Sequence, residues 1–255
     1  MIKEHILNTV KIVIPARYGS SRLIGKPLLE INDKPIFWHV FQRCLEAGFD
    51  SRDIMLATDD TRIFEKASDL NIPVVMTSCE HDSGTDRIFE VATSQGWNKQ
   101  DIVINIQGDE PLVDPELIRQ LSLFTRKHTE FEITTAVVPI VHSDDFNNPN
   151  VVKAVMGLNH RALYFTRSNS PYNRELPSDL SLAFRHVGIY AYTVGALDAF
   201  CSFEEAPLEA YEKLEQLRAL SNGMAIGACY FEGELAHGVD TWDDYLTIKN
   251  RMEKA

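Results

Sequence analysis

The alternation of short apolar, β-branched segments with helically spaced segments constrains this chain of 255 residues more than any other feature. Buried strands are predicted at residues 10–16, 54–57, 74–76 and 101–106. Helices are predicted at residues 36–47, 61–70, 85–94 and 115–127. Such β-α-β-α alternation predicts an α/β fold with a mostly parallel sheet flanked by helices.

The second half of the chain is less regular. Strands are predicted at 131–141, 151–156, 186–192 and 225–231. A helix is predicted over 207–220, and its buried stripe is expected to be Leu208, Tyr211, Leu214, Leu217 and Leu220. The polar, proline-containing segment 170–182 is expected to be a mobile loop.

Composition excludes several classes of protein. The formal net charge is −12, from 25 Lys and Arg against 37 Asp and Glu, which argues against a nucleic-acid partner. No stretch approaches the roughly 18 apolar residues that span a bilayer, so no membrane partner is expected. The first residues lack the apolar core, about 7–15 residues long, of a secretory signal, which predicts a cytoplasmic protein.

The four cysteines give no sign of a metal or disulfide framework. They are widely spaced and form no Cys-x-x-Cys pair, which argues against a zinc site. In an acidic chain of this length we expect reduced thiols in the core.

The loop after the first strand, residues 17–27, is the first candidate for chemistry. It holds Arg17, Arg22 and Lys26 together with two glycines and two serines. Glycine lets backbone N–H groups approach phosphate oxygens, and the cations balance their charge. The spacing matches neither G-x-x-x-x-G-K-[ST] nor G-x-G-x-x-G. The alternative is a solvated basic loop.

Two aspartates are the second candidate. Asp109 lies in Gln-Gly-Asp-Glu-Pro after a buried strand, and Asp240 lies in Gly-Val-Asp-Thr. Each by itself is typical of a turn or a helix cap, but carboxylates are also the ligands that Mg²⁺ prefers. Two such aspartates and a cationic loop together favour metal-assisted phosphoryl or nucleotidyl transfer.

The topology brings part of this set together. In parallel sheets ligands bind beyond the carboxyl ends of the strands. Loops after three predicted strands lie at that edge, so Arg17, Lys26, Gln107 and Asp109 are expected near one crevice. The remaining polar residues have ordinary alternatives as a lone histidine, a solvated helix face or surface cations: His186, Glu212, Glu215, Gln216, Lys153 and Arg167.

The chain resembles a known family in an ordered set of motifs. They include I-P-A-R-Y-G-S-S-R-L-I-G-K-P-L, S-G-T-D-R, N-I-Q-G-D-E-P-L-V-D-P, V-V-K-A-V, H-V-G-I-Y-A-Y, P-L-E-A-Y-E-K-L-E-Q-L-R-A-L and G-V-D-T. These run in family order over nearly the whole chain. On them the chain is similar to the cytidylyltransferases that activate 3-deoxy-manno-octulosonate (Kdo), also called CMP-Kdo synthetases.

The resemblance implies a Rossmann-like nucleotide-diphospho-sugar transferase fold with a smaller dimerisation lobe. It implies one domain over residues 1–255, with a core at about 10–130 and 205–255 and a lobe at about 131–204. It also implies a homodimer that uses Mg²⁺ to convert CTP and Kdo into CMP-Kdo and pyrophosphate for lipopolysaccharide biosynthesis.

The resemblance also implies roles for individual residues. The metal is expected on Asp109 and Asp240, which with Lys26 and Arg17 form the catalytic set. The nucleotide-binding positions are Arg17, Ser20, Arg22, Lys26, Ser83, Gly84, Arg87 and Gln107. The sugar-binding positions are Gln107, Arg167, His186, Tyr190, Glu212, Glu215 and Gln216.

Two departures from the family pattern bear on the alternatives. Ile24 stands where the family usually has proline, and Ser-Asn-Ser-Pro-Tyr at 168–172 replaces a more apolar run beside the sugar site. The second departure leaves 8-amino-Kdo as an alternative substrate. Another ulosonic acid, such as sialic acid, is a further alternative, because the related CMP-sialic acid synthetases share the cationic loop near the start of the chain, although the later motifs fit them less well. From a different class, an inactive nucleotide-sugar-binding protein is expected to lack a metal ligand, yet both aspartates are present.

Overall fold

A computed structural model describes residues 9–19, 23–81, 83–233, 235 and 238–254. The chain forms two compact units, Met1–Arg119 with Glu234–Ala255, and Gln120–Gly233. The expected lobe at about 131–204 falls within the second unit, and the description as one domain stays a prediction.

The elements follow the chain in this order. The strands are β1 (Val10–Pro15), β2 (Glu30–Ile31), β3 (Lys34–Pro35), β4 (Ile54–Thr58), β5 (Val74–Met76), β6 (Ile102–Asn105), β7 (Ile133–Pro139), β8 (Lys153–Met156), β9 (Ala162–Thr166), β10 (Phe184–Thr193) and β11 (Ile226–Tyr230). The helices are α1 (Ile36–Glu46), α2 (Thr61–Asp69), α3 (Gly84–Ser94), α4 (Pro115–Lys127), α5 (Ser143–Asn147), α6 (Val194–Cys201), α7 (Pro207–Glu212), α8 (Gln216–Ser221) and α9 (Trp242–Met252).

A parallel sheet organises the first unit. Among its described residues the strands lie in the order β6-β1-β4-β5, and each neighbouring pair is parallel. β1 is central, with Val13 paired to Met55 on one side and to Asn105 on the other. The helices α1 and α3 both pack on β1, whose apolar residues are buried. The carboxyl ends of β1 and β6 therefore lie side by side.

The second unit contains mixed pairing. β7 pairs in parallel with β11 and antiparallel with β10, while β8 pairs antiparallel with both β10 and β9. An irregularity between Val187 and Tyr190 shifts the register of β10 against β7. The parallel order β6-β1-β4-β5 thus belongs to the first unit, which also contains the separate antiparallel pair of β2 and β3.

The predicted strands and the helices of the first half are confirmed, but the predicted helix over 207–220 is wrong. Two short helices, α7 and α8, replace it, because Lys213 adopts a left-handed conformation with φ 53° that an α-helix cannot continue through. The expected buried stripe holds only in part: Leu214 and Leu217 are buried, whereas Tyr211 is 89% exposed and Leu208 is 46% exposed.

Two further expectations concern the cysteines and membrane-spanning helices. No disulfide joins the four cysteines, all of which lie in the described residues, but the expectation of core thiols is wrong for Cys79, which is exposed. The helices in the described part of the chain include none that is both long and apolar enough to cross a membrane.

Candidate active site

A cavity of about 320 Å³ opens at the carboxyl ends of β1 and β6. Its lining comes from the loops after these two strands and from the start of α3: Pro15, Ala16, Arg17, Gly19, Lys26, Pro27, Gly84, Gln107, Gly108 and Asp109. All four residues that the topology placed near one crevice, Arg17, Lys26, Gln107 and Asp109, line it.

Lys26 joins the two predicted metal-binding aspartates. Its ammonium donates a short hydrogen bond to Asp109 Oδ2 and lies 3.4 Å from Asp240 Oδ1. The lysine side chain is 11% exposed, whereas those of Asp109 and Asp240 are 27% and 49% exposed. Asp109 and Asp240, which are 131 positions apart in the sequence, therefore both contact Lys26.

Close backbone contact makes this convergence possible. The amide of Gly108 donates to the carbonyl of Pro15 at 3.3 Å, which ties the loop after β6 to the end of β1. A Cβ at position 108 would lie 2.6 Å from that carbonyl oxygen, so only glycine fits there. Val239 N then donates to Asp109 O at 2.8 Å, which brings the segment of Asp240 alongside.

The donor set around Lys26 fits a divalent cation of the magnesium type. Two carboxylates already share one cationic group, and Mg²⁺ is commonly held by one or two carboxylates with the remaining positions filled by water and substrate phosphates. Among the described residues, no three or more His, Cys, Asp or Glu side chains form a cluster suited to a metal.

The N-terminus of α3 also faces the cavity through Gly84. Ser83 caps the helix, because its Oγ accepts from Asp86 N at 3.1 Å. The N-terminal N–H groups and dipole of an 11-residue helix favour an anion at this position. Of the other predicted phosphate ligands, Ser20 and Arg22 lie outside the described residues.

Arg87, predicted to bind the nucleotide, does not line the cavity and is engaged by protein groups. Its side chain is fully buried and donates to Asp59 Oδ2 at 2.7 Å and, by a short hydrogen bond, to Thr77 Oγ1. These partners follow β4 and β5, so the guanidinium holds α3 to the ends of both strands. A direct contact with nucleotide stays a prediction.

Three predicted sugar ligands of the second unit, His186, Tyr190 and Gln216, have polar atoms that are buried. His186 Nε2 lies 3.2 Å from Thr135 Oγ1, and burial, with the nearby Arg185 charge, lowers its pKa to about 3. The imidazole is therefore neutral at pH 7. The Tyr190 hydroxyl and Gln216 Nε2 are buried without a hydrogen-bond partner among the described residues. Unsatisfied buried groups of this kind suit a polar ligand.

Arg167 and Glu212 are already engaged within the second unit. The Glu212 carboxylate accepts from Thr166 Oγ1 at 2.7 Å and from Arg167 N at 2.8 Å. The Arg167 guanidinium donates to the carbonyls of Glu212 at 2.7 Å, Pro149 at 3.0 Å and Lys213 at 3.4 Å. It thus binds two carbonyls that a continuous helix would have used, which explains the break after α7.

Lys153 is the residue that sequence reasoning placed least well. It was expected on the surface, yet it is fully buried, and its Nζ donates to the carbonyls of Asn148, Val151 and Arg167 at 2.8–2.9 Å. Burial lowers its pKa. Its position inside the apolar run Val-Val-Lys-Ala-Val was the available signal.

Similarity to known proteins identifies the family. A family model described as cytidylyltransferase matches residues 11–226. The 3-deoxy-manno-octulosonate cytidylyltransferase of Thioalkalivibrio sulfidiphilus is 43% identical over 247 residues, 95% of this chain and 98% of that protein. The chain belongs to the 3-deoxy-manno-octulosonate cytidylyltransferase family. The protein of the same name from Acinetobacter baumannii (strain AYE) is likewise 43% identical, over 94% of this chain and 96% of that protein.

A solved structure agrees with this membership. The CTP complex of a CMP:2-keto-3-deoxy-manno-octonic acid synthetase matches with a TM-score of 0.89 and 37% identity, covering 97% of this chain and 99% of that one. The expected Rossmann-like α/β fold is confirmed. This member of the family is a nucleotidyltransferase.

Proposed function

We propose that this chain transfers CMP from CTP to the anomeric hydroxyl of Kdo, giving CMP-Kdo and pyrophosphate for lipopolysaccharide biosynthesis. The observation that carries the proposal is the similarity, over about 95% of the chain, to relatives named for this reaction. The charges and backbone groups around the cavity agree with it.

The proposed binding of the nucleotide uses the cavity at the ends of β1 and β6. Arg17 and Lys26 supply positive charge, and the N-terminus of α3 supplies backbone N–H groups for phosphate oxygens. Gln107 lines the cavity, and its amide is proposed to contact the nucleotide and the sugar. Ser20 and Arg22 are proposed to complete the phosphate contacts, and Ser83 and Arg87 to support the cytidine end.

In the proposed reaction the 2-hydroxyl oxygen of the sugar forms a bond to the α-phosphorus. The bond from that phosphorus to the oxygen bridging the β-phosphate breaks, pyrophosphate leaves in line, and the hydroxyl proton is released. Negative charge grows on the leaving oxygens as this happens. The fixed charges of Lys26 and Arg17 oppose it without reorganisation, which is how preorganised sites lower barriers.

Asp109 and Asp240 are proposed to hold Mg²⁺. When bound, the ion would neutralise triphosphate charge and polarise the reacting phosphoryl group. The chain's own contribution is to keep both carboxylates at one place, with Lys26 between them as the local countercharge. An acidic protein with a net charge of −12 can thereby accept two anionic substrates.

The proposed sugar ligands divide into two groups by their present contacts. The Tyr190 hydroxyl and Gln216 Nε2 are available to form hydrogen bonds with the sugar. The neutral imidazole of His186 can donate one hydrogen bond and accept another from sugar hydroxyl groups. Arg167 and Glu212 are occupied by protein atoms and are proposed to position the sugar-facing residues. Gln107 and Glu215 complete the proposed set.

A homodimer in the cytoplasm is the proposed state of the enzyme. Light scattering on the purified protein is expected to give twice the mass of the 28.9 kDa chain. A mass of one chain at micromolar concentration would contradict the dimer without affecting the proposed reaction.

The decisive experiment measures pyrophosphate release with CTP, Mg²⁺ and one of three sugars: Kdo, 8-amino-Kdo or N-acetylneuraminate. Release is expected with CTP and Kdo, and not with ATP, GTP or UTP. Faster release with 8-amino-Kdo would assign the altered segment 168–172 to recognition of an amino group. A folded protein that binds CTP but releases no pyrophosphate with any sugar would contradict the proposal.

A charge-removing variant tests the metal ligands within the same assay. Asp109→Asn is expected to lower kcat about 100-fold with an unchanged fold, because it removes one carboxylate charge at nearly constant volume. The matched control is Asp243→Asn, since Asp243 is an exposed acid close to Asp240 in the sequence. Near-normal turnover of Asp109→Asn would remove Asp109 from the metal site.

A further inference from the structure

Tyr18 and Gly25 close the loop that carries the cavity's cations. The amide of Gly25 donates to the carbonyl of Tyr18 at 2.9 Å. Gly25 adopts φ 71°, and a Cβ there would lie 3.0 Å from the tyrosine ring, so the ring packs directly on the glycine backbone. Arg17 precedes this closure and Lys26 follows it. The geometry of the closure therefore sets where both cations lie.

Arg62 lies over the face of the same ring. Its guanidinium carbon lies 3.3 Å from the ring centroid of Tyr18, well inside the roughly 6 Å range of a cation–π contact. The tyrosine ring thus contacts both the Gly25 backbone and an arginine of α2. Nothing in the proposed reaction uses Arg62.

Asp60 fixes the arginine in this position. Arg62 Nε donates to Asp60 Oδ1 at 2.9 Å and Nη2 donates to Oδ2 at 2.6 Å, a two-point contact that sets the plane of the guanidinium. The same carboxylate caps α2 by accepting from Arg62 N at 2.9 Å. Asp60 itself follows β4, whose Ala57 carbonyl accepts from Ala16 N at 2.8 Å.

We propose that the stack of Gly25, Tyr18, Arg62 and Asp60 positions the phosphate-binding loop, so that Arg62 and Tyr18 act as positioning residues for CTP. The stack links the loop after β1 to the start of α2 through side chains outside the cavity lining. It holds the backbone from which Arg17 and Lys26 reach the cavity. This inference rests on the proposed function of the cavity as the CTP site.

Loss of the stack is expected to weaken CTP binding and to leave sugar binding unchanged. Arg62→Ala is expected to raise the Kd for CTP, measured calorimetrically with Mg²⁺ and without sugar, about two- to fivefold, the scale of one exposed cation–π contact. The KM for CTP is expected to rise equally, while the KM for Kdo stays the same. The Gly25 amide is expected to exchange hydrogen faster.

Conservative variants separate positioning from a general loss of charge. Arg62→Lys keeps the charge but loses the planar fork, so it is expected to resemble Arg62→Ala. Tyr18→Leu removes the aromatic ring and is expected to resemble Arg62→Ala. Arg43→Ala is the matched control, because Arg43 pairs with Glu46 on the surface of α1.

The outcomes distinguish this inference from the proposed function. Arg62→Ala with the same Kd for CTP as Arg43→Ala, or with an equal rise in the KM for Kdo, would overturn the positioning role. If the parent protein binds CTP but turns over no sugar, the proposed function fails. In that case, the effect of Arg62→Ala on the Kd for CTP still tests whether the stack positions the loop.

Discussion

At the scale of single residues, Tyr190 offers a sharp test of the sugar site. Its hydroxyl is buried and has no hydrogen-bond partner among the described residues. Burial raises its pKa, so the group remains a protonated donor at neutral pH. Removing an unsatisfied buried hydroxyl costs little stability, but removing a donor to a bound ligand costs affinity.

We therefore expect Tyr190→Phe to raise the KM for Kdo about tenfold while the free energy of unfolding changes by less than about 0.5 kcal/mol. Steady-state kinetics and urea unfolding measure the two quantities. Tyr211→Phe is the control, since Tyr211 is 89% exposed. A loss of stability with an unchanged KM would show that the hydroxyl serves the fold instead.

The turn at Leu23–Lys26 gives a second prediction at this scale. Lys26 N donates to Leu23 O at 3.3 Å, and Gly25 at φ 71° and ψ 12° has the geometry of the third residue of a type II turn. Ile24 occupies the second position, where proline is favoured, and its side chain is 70% exposed.

Ile24→Pro is therefore expected to stabilise the protein by about 0.4–1 kcal/mol, because proline restricts the unfolded chain at a position whose folded geometry it tolerates. Differential scanning calorimetry would show a rise in Tm of about 1–4 °C. Leu182→Pro serves as a contrast, at another exposed residue outside a type II turn. A lower Tm for Ile24→Pro would mean that the turn has another geometry.

At the scale of elements, the break between α7 and α8 is set by long-range hydrogen bonds. Arg167 binds the carbonyls of Glu212 and Lys213, while Arg218 makes a two-point contact with the buried Glu209, at 2.6 Å and 2.9 Å. Each short helix is thus held by a partner on another element or across the break. The helical spacing of apolar residues in the sequence does not indicate these contacts.

The left-handed conformation of Lys213 makes this break testable. Lys213→Gly is expected to be about 1 kcal/mol more stable than Lys213→Ala, because glycine has no Cβ to clash in that conformation. Both variants lose the same lysine charge, so their difference isolates the backbone. Equal midpoints of urea unfolding for the two variants would contradict a left-handed residue here.

At the scale of the whole molecule, buried histidines set the acid side of the stability profile. Burial lowers the pKa of His39 and lowers that of His186 to about 3, both from an ordinary value of 6.5. At His186, between pH 6.5 and about 3, the unfolded chain therefore binds a proton that the folded chain does not bind. This part of the stability is complete above pH 6.5 and falls as the pH drops below it.

Carboxylate groups affect the free energy of unfolding at lower pH than the buried histidines do. The hydrogen bonds from Arg62 hold the pKa of Asp60 below its ordinary 3.8, so its contribution is lost only as the pH falls through the depressed value. We expect the free energy of unfolding to decline from about pH 6.5, by up to about 1.4 kcal/mol per pH unit for one proton.

Urea unfolding between pH 7.5 and 4.5 measures this decline. His186→Gln is expected to flatten it, whereas His142→Gln, at an exposed position, is expected to leave it unchanged. A decline in His186→Gln as steep as in the parent would rule out His186 as the source.

The sequence by itself determined the alternation of elements and which residues meet at the cavity. Apolar β-branched runs separated by helices specify parallel strands, and the carboxyl ends of such strands share one edge. Arg17, Lys26, Gln107 and Asp109 therefore had to lie close together. This reasoning needs only local patterns and one topological rule.

Only the tertiary structure decided the burial of Lys153, the engagement of Arg87 by Asp59, and the break at Lys213. The Arg87–Asp59 contact joins residues far apart in the chain, as do the hydrogen bonds from Arg167 to the carbonyls of Glu212 and Lys213. Lys153 has two nearby partners, but its third is the carbonyl of Arg167 on another segment. A buried charge or an open helix end is stable only where the fold supplies partners. The local sequence shows which polar group is present but not which group will be its hydrogen-bond partner.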